Sequence, residues 1–181
     1  MKAYLYLANG FEEIEAVGTV DILRRAGIEV ETVSIMDKRE VTGARKVKVV
    51  ADMLFEQAQY ADVDILILPG GGPGTKLLGA HEGLKTKLRS FYEQGGWIAA
   101  ICAAPTVFGK LGLLEGKSAV CYPGMEDELL CADTPDEKVV VDGKIITSKG
   151  PGTCFEFAFK IVEVLIGKEV VSKLKSDMVI G

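Results

Sequence analysis

Trp97-Ile98-Ala99-Ala100-Ile101-Cys102-Ala103-Ala104-Pro105 is the stretch that decides the fold. An apolar strand, Trp97 to Ile101, runs straight into a cysteine, and a helix is predicted to begin directly behind it. Hydrolases use this strand–nucleophile–helix turn to expose an attacking atom, with small residues two places either side of it. Here those places hold Ala100 and Ala104. The amides that open the helix are expected to favour a thiolate and so to lower the pKa of Cys102. A buried structural cysteine is the competing reading, because free cysteine is among the most buried residue types.

Strand-like and helix-like periods alternate on both sides of that stretch. Upstream, Asp64–Leu68 is a nearly continuous aliphatic run, the mark of a strand covered on both faces. It ends in Pro69-Gly70-Gly71-Gly72-Pro73-Gly74. Helical pattern over Glu82–Gln94 passes through Leu84, Leu88 and Phe91. At the N-terminus, Lys2–Ala8 reads as a first strand. Phe11–Ala26 follows as a helix whose Ile14, Val17 and Leu23 are expected to face the core. Acids in its first turn, Arg24 and Arg25 in its last, and Gly27 beyond suit the helix dipole. Glu29–Ile35 is predicted as a second strand and Lys46–Val50 as a short third.

Downstream of Cys102, a helix through Val107 and Phe108 stops near Gly109–Gly112, and Ser118–Cys121 reads as another strand. Val139–Val141 and Lys144–Thr147 flank Asp142-Gly143, a strong hairpin signal. The last long helix is predicted from Thr153 to about Leu165, with Thr153 and Glu156 spaced as a capping box. Strands alternating with helical crossovers imply an α/β sandwich with a mostly parallel sheet covered on both faces.

Composition bounds the function. A chain of 181 residues fits one domain with a sizeable core. A net charge of −5 argues against nucleic acid and against an anionic membrane surface. No apolar run is long enough to span a bilayer. The first apolar run lacks a small-residue cleavage site and reads as a strand, not a signal peptide. The four cysteines lack CxxC spacing and stand apart from the single His81, so no metal site is expected. A cytoplasmic setting with reduced thiols is the simplest one.

In open parallel sheets, ligands bind beyond the carboxyl ends of the strands. Three segments are expected to converge there: Asn9–Glu15, the glycine turn Gly70–Gly74, and Cys102. An amide of Gly70 or Gly71, with that of Ala103, would make an oxyanion hole beside the sulfur. A tight turn needing positive φ explains the glycines equally well. The turn lacks the lysine of a phosphate-binding loop, so a nucleotide role is weak. Glu12, Glu13 and Glu15 crowd one helical turn, and one of them drawn into a partly buried place would have a raised pKa. The residues alone leave open which one. His81 reads as a solvated loop residue and Cys131 as part of a polar loop. Cys154, opening a helix after Gly150-Pro151-Gly152-Thr153, is a second candidate for a depressed pKa.

The segments Gly10-Phe11-Glu12-Glu13-Ile14-Glu15-Ala16, Arg24-Arg25-Ala26-Gly27, Leu68-Pro69-Gly70-Gly71, Ala99-Ala100-Ile101-Cys102-Ala103-Ala104-Pro105 and Ser148-Lys149-Gly150-Pro151-Gly152-Thr153-Cys154-Phe155-Glu156-Phe157-Ala158 stand in order along nearly the whole chain. Together they resemble the ThiJ/PfpI superfamily, most closely its Parkinson-disease-protein branch. The resemblance implies a flavodoxin-like three-layer sandwich over residues 1–181, usually a homodimer, with an oxidation-prone cysteine on a strained elbow. It selects Glu15 as the carboxyl that hydrogen-bonds Cys102, and implies the Gly70/Gly71 and Ala103 amides around the sulfur. The protease-like branch places a histidine where this chain has Ala103. The Parkinson-protein branch often supplies one where Tyr122 stands, which makes Tyr122 an auxiliary candidate. Neither position can build a Cys–His pair here, so an amidase or protease-like hydrolase, which wants a general acid for its amine leaving group, ranks lowest.

Two functional expectations follow. The first is cofactor-free glyoxalase- or deglycase-type chemistry on a small carbonyl substrate such as methylglyoxal, with Cys102 as nucleophile and Glu15 as proton partner. The second is a non-enzymatic redox sensor or chaperone that works through oxidation of Cys102.

Overall fold

Along Lys2–Leu7, alternate side chains enter two different cores. Ala3, Leu5 and Leu7 pack on one side of the sheet, Tyr4 and Tyr6 on the other. A strand buried on both faces has no polar side to show, which is why the central runs read as continuous aliphatics. The computed structural model describes residues 1–180. Its first half contains β1 (Lys2–Leu7), α1 (Glu13–Arg25), β2 (Glu29–Ser34), β3 (Glu40–Thr42), β4 (Lys48–Val50), β5 (Met53–Leu54) and β6 (Ile65–Leu68). Then come α2 (Gly72–Ala80), α3 (Glu82–Glu93), β7 (Trp97–Ile101) and α4 (Pro105–Lys110). The chain closes with β8 (Val139–Asp142), β9 (Ile145–Ser148), α5 (Cys154–Leu165) and α6 (Lys168–Asp177).

Seven strands form one sheet in the order β5-β2-β1-β6-β7-β9-β8, all neighbours parallel except the β8–β9 hairpin. Buried residues of α1, α5 and α6 join one core; those of α2, α3 and α4 join the other. This is the expected flavodoxin-like α/β sandwich. From β1 the chain first steps outward to β2 and β5, then returns to β6 on the other side of β1. The crevice at that reversal, beyond the carboxyl ends of the strands, is where such sheets place ligands.

Several local expectations are corrected. Ile14 and Val17 do not face the core; they are 56% and 49% exposed. The buried face of α1 carries Glu15, Ala16, Thr19, Ile22 and Leu23 instead. Close packing on α5 sets that rotation: a Cβ on Gly18 would stand 3.1 Å from the Cys154 sulfur. Ser118–Cys121 is not a strand and makes only an isolated bridge to Asp133. Its amides are satisfied irregularly, Ala119 by the Asp133 carbonyl and Val120 by the Thr147 hydroxyl. The strand expected over Lys46–Val50 begins at Lys48, as β4, and pairs with the unexpected β3 in a separate hairpin. The glycine-rich segment opens α2, a helix its composition hides, with Gly71 as cap at φ +92°. The β8–β9 turn is centred one residue later than Asp142-Gly143, with Gly143 first of two loop residues. No capping box forms at α5: the Thr153 hydroxyl bonds Gly150 and Ser148, and Glu156 pairs with Lys138. α6 had no counterpart in the sequence reading.

Candidate active site

Cys102 takes φ +66°, a left-handed conformation that a residue with a Cβ adopts only when its surroundings enforce it. The main chain supplies that enforcement at both ends. Its N–H donates to the Ser148 carbonyl at 2.9 Å, extending the β7–β9 ladder, and its carbonyl accepts the Tyr122 N–H at 2.8 Å. Ala104 N–H donates back to the Ile101 carbonyl, closing the turn into α4. The strand therefore ends in a pinned elbow. The residue is 8% exposed.

Of the three crowded acids, the structure turns Glu15 inward and buries it completely. Glu12 instead caps α1, its carboxylate accepting the Glu15 N–H at 2.8 Å while its own N–H donates to the Gly70 carbonyl. Glu15 Oε2 accepts the Gly70 N–H at 2.8 Å, and Oε1 has no hydrogen-bond partner among the described residues. A Cβ on Gly70 would stand 2.6 Å from Glu15 Oε2, 2.5 Å from Cys102 Cβ and 3.0 Å from its sulfur. The missing side chain at Gly70 is thus the space in which carboxyl and thiol meet.

The two glycine amides divide the work. That of Gly70 serves Glu15, while those of Gly71 and Ala103 act on the sulfur and favour its ionised form. Burial nevertheless dominates. It pushes the Cys102 thiol up to about 12, with the Glu15 charge adding to it. This reverses the lowered pKa expected from the helix start alone: the sulfur loses water, and a carboxylate stands beside it. Burial also raises Glu15 to about 7, opposed by the Gly70 amide and by Cys102 and aided by Glu12. The two groups titrate as a pair, which releases one proton near neutrality and holds the second to high pH.

The remaining candidates fall elsewhere. Tyr122 donates its amide to Cys102 while its half-exposed ring covers Gly150, 3.5 Å from where a Cβ there would lie. Cys154 is raised to about 11, first by burial, again opposite to expectation. His81 is not a free loop residue; its Nδ1 caps α3 by accepting the Leu84 N–H, and its ring meets Phe55 edge-on at 4.6 Å. It makes no pair with Cys102. All four cysteines are free thiols. Among the described residues no group of three or more His, Cys, Asp or Glu is placed to hold a metal ion. The Ser148 carbonyl and the Glu12 cap escaped the sequence reading; a main-chain acceptor leaves no signal in side-chain identity.

Comparison with known proteins gives the family. The DJ-1/PfpI family model matches residues 1–164. Protein dj-1beta of Drosophila melanogaster is 41% identical over 99% of this chain and 97% of its own, and its crystal structure superposes with a TM-score of 0.95 over 99% and 98% of the two chains. Toxoplasma gondii DJ-1, solved in an oxidized form, is 38% identical with a TM-score of 0.93, covering 98% of this chain and 97% of its own. A Caenorhabditis elegans relative named glutathione-independent glyoxalase DJR-1.2 is 36% identical over 90% of this chain and 87% of its own. The chain belongs to the DJ-1/PfpI family.

Proposed function

We propose that this chain converts reactive α-oxoaldehydes to hydroxy acids without a cofactor, with Cys102 as nucleophile and Glu15 as proton carrier. The observation that carries the reading is the buried Glu15 beside the Cys102 thiol at the elbow, under the amides of Gly71 and Ala103. When the proton of the pair sits on Glu15, the sulfur is a thiolate held by those two amides. It adds to the aldehyde carbon; the C=O π bond breaks and its oxygen takes the proton from Glu15. The Glu15 carboxylate then removes the hydrogen on that carbon and returns it to the adjacent carbonyl carbon, while the hydroxyl proton passes to the adjacent carbonyl oxygen. The first carbon is thereby oxidised to a thioester and the second reduced to a carbinol. Water cleaves the thioester, restoring the thiol and releasing the acid, so methylglyoxal and water give lactate with no outside oxidant. The glyoxalase name of the nematode relative supports the same class of chemistry. Tyr122, on the main-chain anchor of Cys102, is the auxiliary residue. Conversion of methylglyoxal to lactate by a Cys102→Ala protein at the parent rate would refute this reading.

A second reading, a redox sensor, draws on the oxidized state in which the Toxoplasma relative was solved. Mild peroxide followed by intact-mass analysis separates the two. Gain of two oxygens at Cys102 in a protein without turnover favours the sensor. A homodimer belongs to the same family reading, and the exposed Ile14, Val17 and Phe155 on the adjoining helices α1 and α5 offer it an apolar face. No helix is long and apolar enough to cross a membrane, and the four free thiols suit a reducing, cytoplasmic setting.

A further inference from the structure

The three acids crowded at the start of α1 have three different partners. Glu15 enters the site, and Glu13 Oε1 accepts the Arg45 N–H on the β3–β4 turn. Glu12 is bonded into the site on two sides. Its Oε2 accepts the Glu15 N–H at 2.8 Å, and its own N–H donates to the Gly70 carbonyl at 2.9 Å. Gly70 in turn donates its N–H to Glu15 Oε2 at 2.8 Å. The three residues close a ring of hydrogen bonds that holds Glu15 at both ends, at its main-chain amide and at its carboxyl. The packing leaves no slack: a Cβ on Gly71 would stand 2.6 Å from the Glu12 nitrogen. A serine or threonine cap would satisfy the Glu15 amide equally well. What the glutamate adds is a negative charge within one helical turn of the shared proton.

That charge does not act on the two members of the pair alike. The titratable groups around Glu15 are Cys102 at the end of β7, Cys154 at the head of α5 and Glu12 on its own helix. Glu12 opposes ionisation of Glu15 more than that of Cys102. Of the two places for the single proton it therefore favours the carboxyl, which leaves the negative charge on the sulfur. We infer that Glu12 is a positioning residue of this site: it fixes the Glu15 carboxyl through the ring of hydrogen bonds and biases the shared proton onto it, so that Cys102 carries the thiolate. The inference rests on the proposed function and adds a residue to it. No bond to carbon changes; one proton moves from the sulfur to a Glu15 oxygen.

The test is the rate of Cys102 alkylation by iodoacetamide from pH 5 to 9, followed at the Cys102 peptide by mass, in the parent, Glu12→Gln and Glu12→Asp. Glutamine keeps a carbonyl oxygen for the Glu15 amide and loses the charge; aspartate keeps both. In Glu12→Gln the step near neutrality should move down by about half a pH unit, and the rate above it should fall about threefold, because the carboxyl then holds the proton less well. Glu12→Asp should follow the parent. Glu12→Ala removes the cap as well, and kcat for methylglyoxal should fall about tenfold with KM within about twofold, because the first turn no longer holds the carboxyl at the sulfur.

A cap that served α1 alone would lower the urea midpoint in Glu12→Ala and leave both the step and the rate of Glu12→Gln at their parent values; that pair of results overturns the inference. So does an equal change in Glu12→Asp and Glu12→Gln, since aspartate keeps the charge, or a parent with no step near neutrality. If methylglyoxal conversion persists in Cys102→Ala, the catalytic reading fails alone, because alkylation reports on the proton whether or not turnover follows.

Discussion

Cys102 follows β7 directly and leads into α4, Cys154 opens α5 behind the turn Gly150–Thr153, and both are buried. Their neighbours differ in kind. The Cys154 thiol donates to the Ile14 carbonyl at 3.3 Å and also lies 3.8 Å from the Glu15 carbonyl and from the Thr19 hydroxyl. Burial, aided by the Glu15 and Glu12 charges, holds Cys154 neutral against the Thr19 hydroxyl and amide, and the carbonyls beside it accept its S–H. Around Cys102 the nearby backbone groups are donors, and the neighbouring side chain can itself take the proton. Glu15 serves both sites, with its side chain at one sulfur and its main-chain carbonyl at the other. A helix start does not by itself make a thiol reactive. The polarity of the groups that meet the sulfur decides, together with a place for the proton to go.

The largest effect expected from this contrast is on turnover. Cys102→Ala should lower methylglyoxal conversion by at least about 10³-fold, since nucleophile and intermediate are both lost. Cys154→Ala should leave it within a few-fold. Steady-state lactate formation distinguishes the two, and equal losses would erase the distinction. Glu15→Gln comes next, with turnover expected to fall about 10²- to 10³-fold, as for removal of a positioned acid–base. Retention of full activity would show that the proton moves by another route.

Stability supplies the third test. The folded chain holds the Glu15 proton to about 7, against the ordinary 4.5. The folded state therefore binds more protons than the unfolded one between those values. The advantage is complete below pH 4.5 and is lost as pH rises through 7, by about 3 kcal/mol. Urea unfolding of Glu15→Gln should lack that slope and show its greatest gain over the parent at pH 8. Identical pH profiles would contradict the burial of the carboxyl. The smallest effect is expected from Gly70→Ala, whose Cβ would overlap both Glu15 and Cys102. A loss of about 1–3 kcal/mol is expected from such overpacking, with slower turnover. A neutral result would mean that the two side chains do not share the space at Gly70.

The legibility of the molecule follows the same division between local and tertiary causes. Asp64–Leu68 and Trp97–Cys102 could be read directly, because burial on both faces leaves an unbroken aliphatic run and the elbow needs small neighbours. The register of α1 could not: its inward face carries Glu15 and Thr19, and its apolar Ile14 and Val17 point outward. Residue periodicity alone left the choice among Glu12, Glu13 and Glu15 open, and only the family resemblance selected Glu15. α2 was hidden by glycine and proline, although Leu78 anchors it in the core. Ser118–Cys121 has strand composition, yet its amides find carbonyl and hydroxyl partners one at a time.

The shared proton of Cys102 and Glu15 is tested most directly by the rate of Cys102 alkylation as a function of pH, in the parent and in Glu15→Gln. The parent should react in two steps, a first rise near pH 7 as the pair loses one proton and a second toward pH 12. In Glu15→Gln the first step should vanish and a single ionisation should occur below the parent's second one, because the neighbouring charge is gone. A single step near the ordinary thiol value in both proteins would contradict the account.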